Sequence, residues 1–308
     1  KGHTISNLTI NTTVPGAGFI GQINGGSIKN LNFANVNIKS TSSNVAVCAG
    51  VVASSAVRID NCHVLSGTVQ SSGGYVAAIA GRDDSALPTQ SYIILNCSNR
   101  ADVTGNGQRV GGIAAYISCD NCQNYGRVTN NSKSDYTGGI AGRGKVRGSA
   151  NFANVSGYSY TGGITGYGTA ENSSNSGNVN GYSRVGGICG NGDAVDCDNT
   201  GTVIGTTELI GGITGYGGAS NSSNSGAVSG KTYVGGIAGY NQLGSIIDCI
   251  NTASVTATGD YAGGISGRFS SHAAGSSQNQ ITGSNNSGKV TTAGNYVGGI
   301  TGQAIDGY

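Results

Sequence analysis

One phrase governs what this chain can fold into. The string (Val/Thr)-Gly-Gly-Ile-(Ala/Thr/Ser)-Gly recurs around Ile140, Ile164, Ile188, Ile213, Ile237, Ile265 and Ile300, with weaker copies at Phe19, Val51, Ile79 and Ile113. Intervals between these anchors run from 24 to 35 residues. A second phrase, Asn-(Cys/Ser)-x-Asn-x-Gly-x-Val, falls between them and reads clearly at 121–128, 172–179, 196–203 and 221–228. A period of this length marks a repeat architecture whose copies are equivalent stations on successive turns. Each unit holds two or three short β-capable stretches separated by Gly, Asn and Ser, and none has a 3.6-residue apolar pattern of helical length. One unit cannot bury a core alone. Stacked units can, each strand pairing with its equivalent one turn on, at about 4.8 Å. The expected fold is all-β: a single parallel β-helix (β-solenoid, right-handed) of about eleven turns over residues 1–308, roughly 50 Å long. Its first turns, 1–60, read as irregular, and 110–301 as the most regular. Units longer than the shortest repeat predict bulging loops at Arg82–Ser91 and Phe269–Gly283.

Composition removes several alternatives. The chain has 57 Gly, two Pro, no Met and no Trp, with 10% charged residues and a net charge of +2. Disorder normally accompanies high net charge and few β-branched residues, whereas Val, Ile and Thr are spread along this whole sequence. A charge of +2 over 308 residues gives no electrostatic reason to expect nucleic acid or an anionic membrane as partner. No apolar run approaches the roughly 20 residues of a membrane helix, so no membrane insertion is expected. The chain opens at Lys1 with no Met and no signal-like segment, and so reads as a processed form or an excised piece.

The alternation of Val-Gly-Gly-Ile-Ala-Gly with Ile-x-(Asn/Asp)-Cys-x-Asn-x-x-x-Val, as in residues 233–266, resembles the GLUG repeat. That repeat occurs in bacterial surface proteins, among them large adhesins and the non-catalytic regions of IgA-specific metallopeptidases. The resemblance covers nearly the whole chain, is best from about 110 to 301, and substitutes Ile where the family more often has Leu. It implies an exported, surface-associated β-solenoid, extracellular in location. The repeat has no catalytic residues to carry over.

In a solenoid each aligned position becomes a column along the rod. Asn99, Asn124, Asn175, Asn199, Asn224, Asn251 and Asn286 all lie four residues before a repeat Val. They read as an amide ladder that hydrogen-bonds up the stack. Cys62, Cys97, Cys122, Cys197 and Cys249 share one station, with Ser173, Ser223 and Ser284 in other turns; the exchange of Cys for Ser fits a small inward slot holding free thiols. Within-turn disulfides Cys48–Cys62 and Cys189–Cys197 are the alternative.

The column three residues after the anchor holds Arg82, Tyr116, Arg143, Tyr167, Asn191, Tyr216, Tyr240, Arg268 and Gln303. Period-2 alternation from an inward Ile turns it outward. A second column, four before the anchor, holds Tyr75, Arg109, Tyr136, Tyr160, Arg184, Tyr233, Tyr261 and Tyr296. Alternation alone puts that one inward, unless Gly-Gly breaks the parity or the rings lie at a corner. Tyr and Arg in a stripe suit contact with glycan or protein; the plainer alternative, a self-stacking ladder that stabilises the rod, carries the greater weight from sequence alone.

Catalytic constellations are sparse. Asp193, Asp196 and Asp198 form the one cluster among fourteen acids, and His3, His63 and His272 are scattered over unrelated turns. The acid cluster leaves room for calcium; no other cofactor is implied, and Cys119-x-x-Cys122 lacks the second half of a zinc site. Asn-x-Ser/Thr sequons at Asn7, Asn11, Asn96, Asn130, Asn154, Asn172, Asn221 and Asn285 follow from the repeat itself. The leading expectation is a non-enzymatic surface rod or adhesin segment that binds glycan or a surface protein through a repeated lateral face. The alternatives are a structural subunit stacking end to end on itself as a filament, since open strand edges pair readily, and a polysaccharide-active β-helix enzyme, which needs two carboxylates at suitable spacing.

Overall fold

The computed structural model describes residues 2–83, 92–133, 136–242, 244–271 and 279–305. It is an all-β parallel β-solenoid. Each turn passes in order through five parallel sheets. The first runs from His3–Ser6 to Asn285–Asn286, the second from Thr9–Thr12 to Val290–Thr292, and the third from Val76–Ala77 to Val297–Gly298. The fourth runs from Ile20–Ile23 to Thr301–Ile305, and the fifth from Ser27–Lys29 to Ile281–Thr282. The first, second and fourth sheets contain eleven strands, the fifth ten and the third nine. In the first two turns the third sheet is reduced to isolated bridges, Ala17 to Val45 and Val45 to Val76. Nine turns are therefore laddered through that sheet. The loops anticipated at Arg82–Ser91 and Phe269–Gly283, and His272, lie for the most part outside the described residues.

Five strands per turn, rather than two or three, follow from corners that the residue pattern encodes. Asn30, Asn61, Asn96, Asn121, Asn172, Asp196, Asn221 and Asp248 all adopt left-handed φ values between 47° and 56°, and Gly148 and Gly283 take the same place. Asn, Asp and Gly are the residues that visit this region most readily. The first residue of the Asn-(Cys/Ser) phrase thus divides the fifth sheet from the first. It is a hinge in the path, not a ladder rung.

The interior is built from columns. Anchor residues Ile79, Ile113, Ile140, Ile164, Ile188, Ile213, Ile237 and Ile265 are fully buried. Successive anchors hydrogen-bond N–H to carbonyl, and the next residue's N–H donates to the same carbonyl, as Ile140 and Ala141 both do to Ile164. In the second turn this column is occupied by Cys48, which bonds to Ile79, while Val51 pairs with Arg82 three stations later. Val51 is therefore not an anchor copy; the apolar, buried thiol took the Ile slot and hid the phrase.

Seven amide links join eight asparagines. From Asn99 through Asn124, Asn151, Asn175, Asn199, Asn224 and Asn251 to Asn286, each Nδ2 donates to the next Oδ1 at 2.7–2.9 Å. The second Nδ2 hydrogen reaches the carbonyl two residues on, closing the bend. Asn151 belongs to this ladder although Gly148 and Ala153, in the places of the phrase's first Asn and its Gly, disguise it. Earlier turns place Val64 and Phe33 at the same station, so the first turns have an apolar core where later ones have amides.

Cys62, Cys97, Cys122, Cys197 and Cys249 occupy one inward slot, shared with Ser149, Ser173, Ser222 and Ser284. Ser222 is the occupant in its turn; Ser223, one residue on, pairs with Asp198 and Ile250 on the outer side. All eight cysteines are free and buried. The disulfides Cys48–Cys62 and Cys189–Cys197 are not formed: the Cys62 thiol meets the Asp60 carbonyl at 3.5 Å, Cys197 the Val195 carbonyl at 3.2 Å, and Cys189 the Asp193 carbonyl at 3.6 Å.

Candidate functional site

The third and fourth sheets pack against each other through glycine. A Cβ on Gly111 would strike the Ala114 carbonyl, and one on Gly142 would press on the backbone of Val110 and Tyr136. This close approach brings the residue four before the anchor and the residue three after it side by side. The two columns noted in the sequence thus form one surface.

The fourth-sheet column is in continuous register: Arg82, Tyr116, Arg143, Tyr167, Asn191, Tyr216, Tyr240, Arg268 and Gln303 pair one after another. Most are half-buried; Tyr167 is 37% exposed and Tyr240 only 9%. In the second column, Tyr75, Tyr160, Arg184, Leu209, Tyr233, Tyr261 and Tyr296 have φ between 48° and 65°. A left-handed residue reverses the alternation, which places these side chains at a corner beside the first column. Non-glycine residues pay about 1–2 kcal/mol for that conformation, and for bulky ones it is a real outlier.

Rings and guanidinium groups interleave along the stripe. Arg109 lies over Tyr75, Tyr116 and Tyr136 at 4.6–5.5 Å from the ring centres, and also donates to the Tyr75 hydroxyl. Arg143 lies over Tyr116 and Tyr167 at 5.2 and 4.9 Å, Arg184 over Tyr160 at 5.0 Å, and Arg268 over Tyr233 and Tyr240 at 5.2 and 4.7 Å. Tyr136 contacts Tyr160 and Tyr167, and Tyr261 stacks between Tyr233 and Tyr296. The pattern breaks where Asn191 and Leu209 replace larger rings. There an open groove of about 420 Å³ forms, lined by Arg184, Glu208, Tyr216, Tyr233, Tyr240 and Arg268 among others. Tyr216 donates to Gln242 Oε1 at 2.7 Å, and its burial, with the neighbouring Tyr240 phenol, pushes its hydroxyl pKa up.

Two smaller aromatic runs escaped the sequence reading. Tyr125 stacks on Phe152 at 4.7 Å with Arg100 over Tyr125, and Tyr158 stacks on Tyr182 at 4.2 Å. The first was legible: Arg100, Tyr125 and Phe152 each follow a ladder Asn by one residue.

The acid cluster is dispersed by the corner at Asp196. Asp193 Oδ1 accepts the Gly218 N–H at 2.7 Å, and Asp198 accepts the Ser223 hydroxyl. Among the described residues no group of three or more His, Cys, Asp or Glu side chains converges to hold a metal ion. His63 is engaged with Ser98 and Asn61, both at 2.9 Å.

No family model matches the chain, and no curated protein does. One solved structure, a candidate immunoglobulin A1 protease from Bacteroides ovatus, aligns over 94% of this chain and 67% of its own, at 18% identity and a TM-score of 0.32. The architecture and the stripe described above stand on this chain's own residues.

Proposed function

We propose that the chain is a non-enzymatic segment of an extracellular surface rod, and that the Tyr/Arg stripe is its contact face for a glycan or a surface protein. The observation that carries this reading is the left-handed backbone under Tyr75, Tyr160, Arg184, Leu209, Tyr233, Tyr261 and Tyr296. A solenoid corner needs no aromatic residue; the neighbouring corner uses Asn, Asp and Gly, which take the same φ more cheaply. Strain repeated in turn after turn at bulky side chains marks a place where side-chain chemistry outweighs backbone cost. Rings with exposed edges and Arg groups fanning out donors suit sugar faces and protein surfaces alike. The resemblance to the GLUG repeat supports the surface location.

The test is a glycan array and a panel of extracellular-matrix proteins probed with the wild-type chain and with Tyr167→Ala, Tyr216→Ala and Tyr240→Ala together. Binding present in the wild type and lost in the triple variant, with the circular dichroism spectrum preserved, is the expected result. Undiminished binding by the variant would retire the stripe as the contact face.

A further inference from the structure

Resting on that reading, we infer that the stripe takes an acidic glycan, one carrying carboxylate or sulfate groups, seated along the rod axis in the groove between Arg184 and Arg268. The two columns of the stripe contain Arg82, Arg109, Arg143, Arg184 and Arg268, and no Asp or Glu stands in either. The ion pairs Arg127–Asp102 and Arg147–Asp120 lie on other faces of the rod. Arg184 and Arg268 have no carboxylate partner among the described residues; their contacts are the faces of Tyr160, Tyr233 and Tyr240. A chain with a net charge of only +2 has thus placed five cations and no acid in these two columns. Glu208 at the groove's edge is the single acid lining it, against two guanidinium groups.

A ring face accepts no conventional hydrogen bond, so the N–H edges of Arg184 and Arg268 are left without an acceptor among the described residues. Such an edge matches a carboxylate or sulfate in a bidentate pair. A self-stacking ladder accounts for rings on rings, but it leaves these donors unused. Nor does it account for the interruption at Asn191 and Leu209, where Tyr216, Tyr233 and Tyr240 line open space. Those rings offer flat apolar surface for pyranose faces, and exposed Glu208 accepts from sugar hydroxyls. Because stations repeat at every turn, Arg184 and Arg268 stand three turns apart, roughly 14 Å along the axis. The occupant is therefore an oligosaccharide bearing anionic groups on more than one residue, not a monosaccharide.

The folded chain would be titrated calorimetrically with an oligogalacturonate, with its carboxyl-reduced neutral counterpart, and with a heparin oligosaccharide of matched length. Arg184→Gln and Arg268→Gln remove charge from partly exposed positions, and Lys39→Gln, on the second sheet, serves as the distant cation. One of the two acidic probes is expected to bind, the carboxylated and sulfated arms telling the source of the anion apart. Affinity should fall about tenfold with each Arg variant, stay level in Lys39→Gln, and weaken steeply as salt rises. Equal affinity for the carboxyl-reduced chain would overturn the acidic assignment while leaving the contact face standing if Tyr216→Ala still lowers it. An equal loss in Lys39→Gln would overturn the groove as the site, and failure of both acidic probes to bind would overturn the inference outright. Loss of all glycan binding with retained protein binding, abolished by the Tyr variants, would overturn only the glycan and keep the face.

Discussion

The Cys/Ser station shows how one side chain can be exchanged without cost. Cys97, Cys122, Cys197 and Cys249 direct their thiols to the carbonyl two residues back at 3.1–3.3 Å; Ser149, Ser173 and Ser222 do the same with a hydroxyl at 2.8 Å. Serine also accepts an N–H from the preceding turn, as Ser222 does from Cys197. The difference emerges at high pH. Burial pushes Cys197 from 9.0 up to about 12, and also drives Cys97, Cys122 and Cys189 upward. A folded-state pKa above the unfolded one means the thiol's contribution to stability is whole below about pH 9 and drains away as pH rises toward 12. Each such thiol adds a slope of about 1.4 kcal/mol per pH unit across that window. Cys197→Ser is therefore expected to match the wild type in urea denaturation at pH 7 and to lose stability more slowly between pH 9 and 11. Parallel stability curves for the two proteins would mean that Cys197 ionises while folded.

At the scale of the elements, the Gly-Gly corner and the Asn ladder are one device. A Cβ on Gly139 would meet the Gly163 carbonyl and the amide carbon of Asn151, and the same pair of obstacles recurs at Gly163, Gly187, Gly212 and Gly236. The amide fills the space that a second side chain would need. Gly139→Ala should accordingly break the Asn124–Asn151–Asn175 links and leave buried amide groups unpaired, at about 1–3 kcal/mol for each group. Gly74, whose Cβ would come no nearer than 3.5 Å to the Ser43 hydroxyl, should accept Ala with little change. Hydrogen exchange read turn by turn distinguishes the two: Gly139→Ala should speed exchange in the turns around Asn151 while leaving Gly74→Ala near wild type. Equal protection in both variants would dismiss steric coupling. The period and the Asn column were legible in the sequence because each is a direct repetition. The coupling was not, since Gly139 and Asn151 are separated in the chain and only the fold brings the glycine Cα against the amide. Nor could alternation place Tyr160 or Tyr233, because a single left-handed φ reverses the face of everything after it. Cys48 and Asn151 were missed for a plainer reason: the columns tolerate chemistry that local phrases do not display.

For the whole molecule, the governing fact is that each strand takes its ladder partners only from the turns directly before and after it, which makes the rod divisible in whole turns and in nothing smaller. Ile164 and Ile188 are successive anchors, and the residues from Ile164 to Gly187 supply one strand to each of the five sheets, from Thr165–Tyr167 to Ser183–Gly186. Removing 164–187 joins Gly163 to Ile188 and leaves every column in register. Ile140 would then bond to Ile188 as it now does to Ile164. Asn151, which now donates to Asn175 at 2.7 Å, would find Asn199 in the same position. The excised turn also takes Tyr167 and Arg184 with it, so the stripe shortens and loses one cation while keeping Tyr216, Tyr233 and Tyr240. The expected product is a folded rod about 5 Å shorter by small-angle scattering, one strand spacing along the axis, with an unchanged far-ultraviolet spectrum and weakened binding to the acidic probe. Deleting 176–187 alone should fail, because it removes the second- and third-sheet strands Val179–Gly181 and Ser183–Gly186 and joins Asn175 to Ile188, so that the fourth-sheet strand Cys189–Asn191 falls where a second-sheet strand belongs. If the half-turn deletion folded as well as the full one, registry between equivalent stations would not be what holds this rod together.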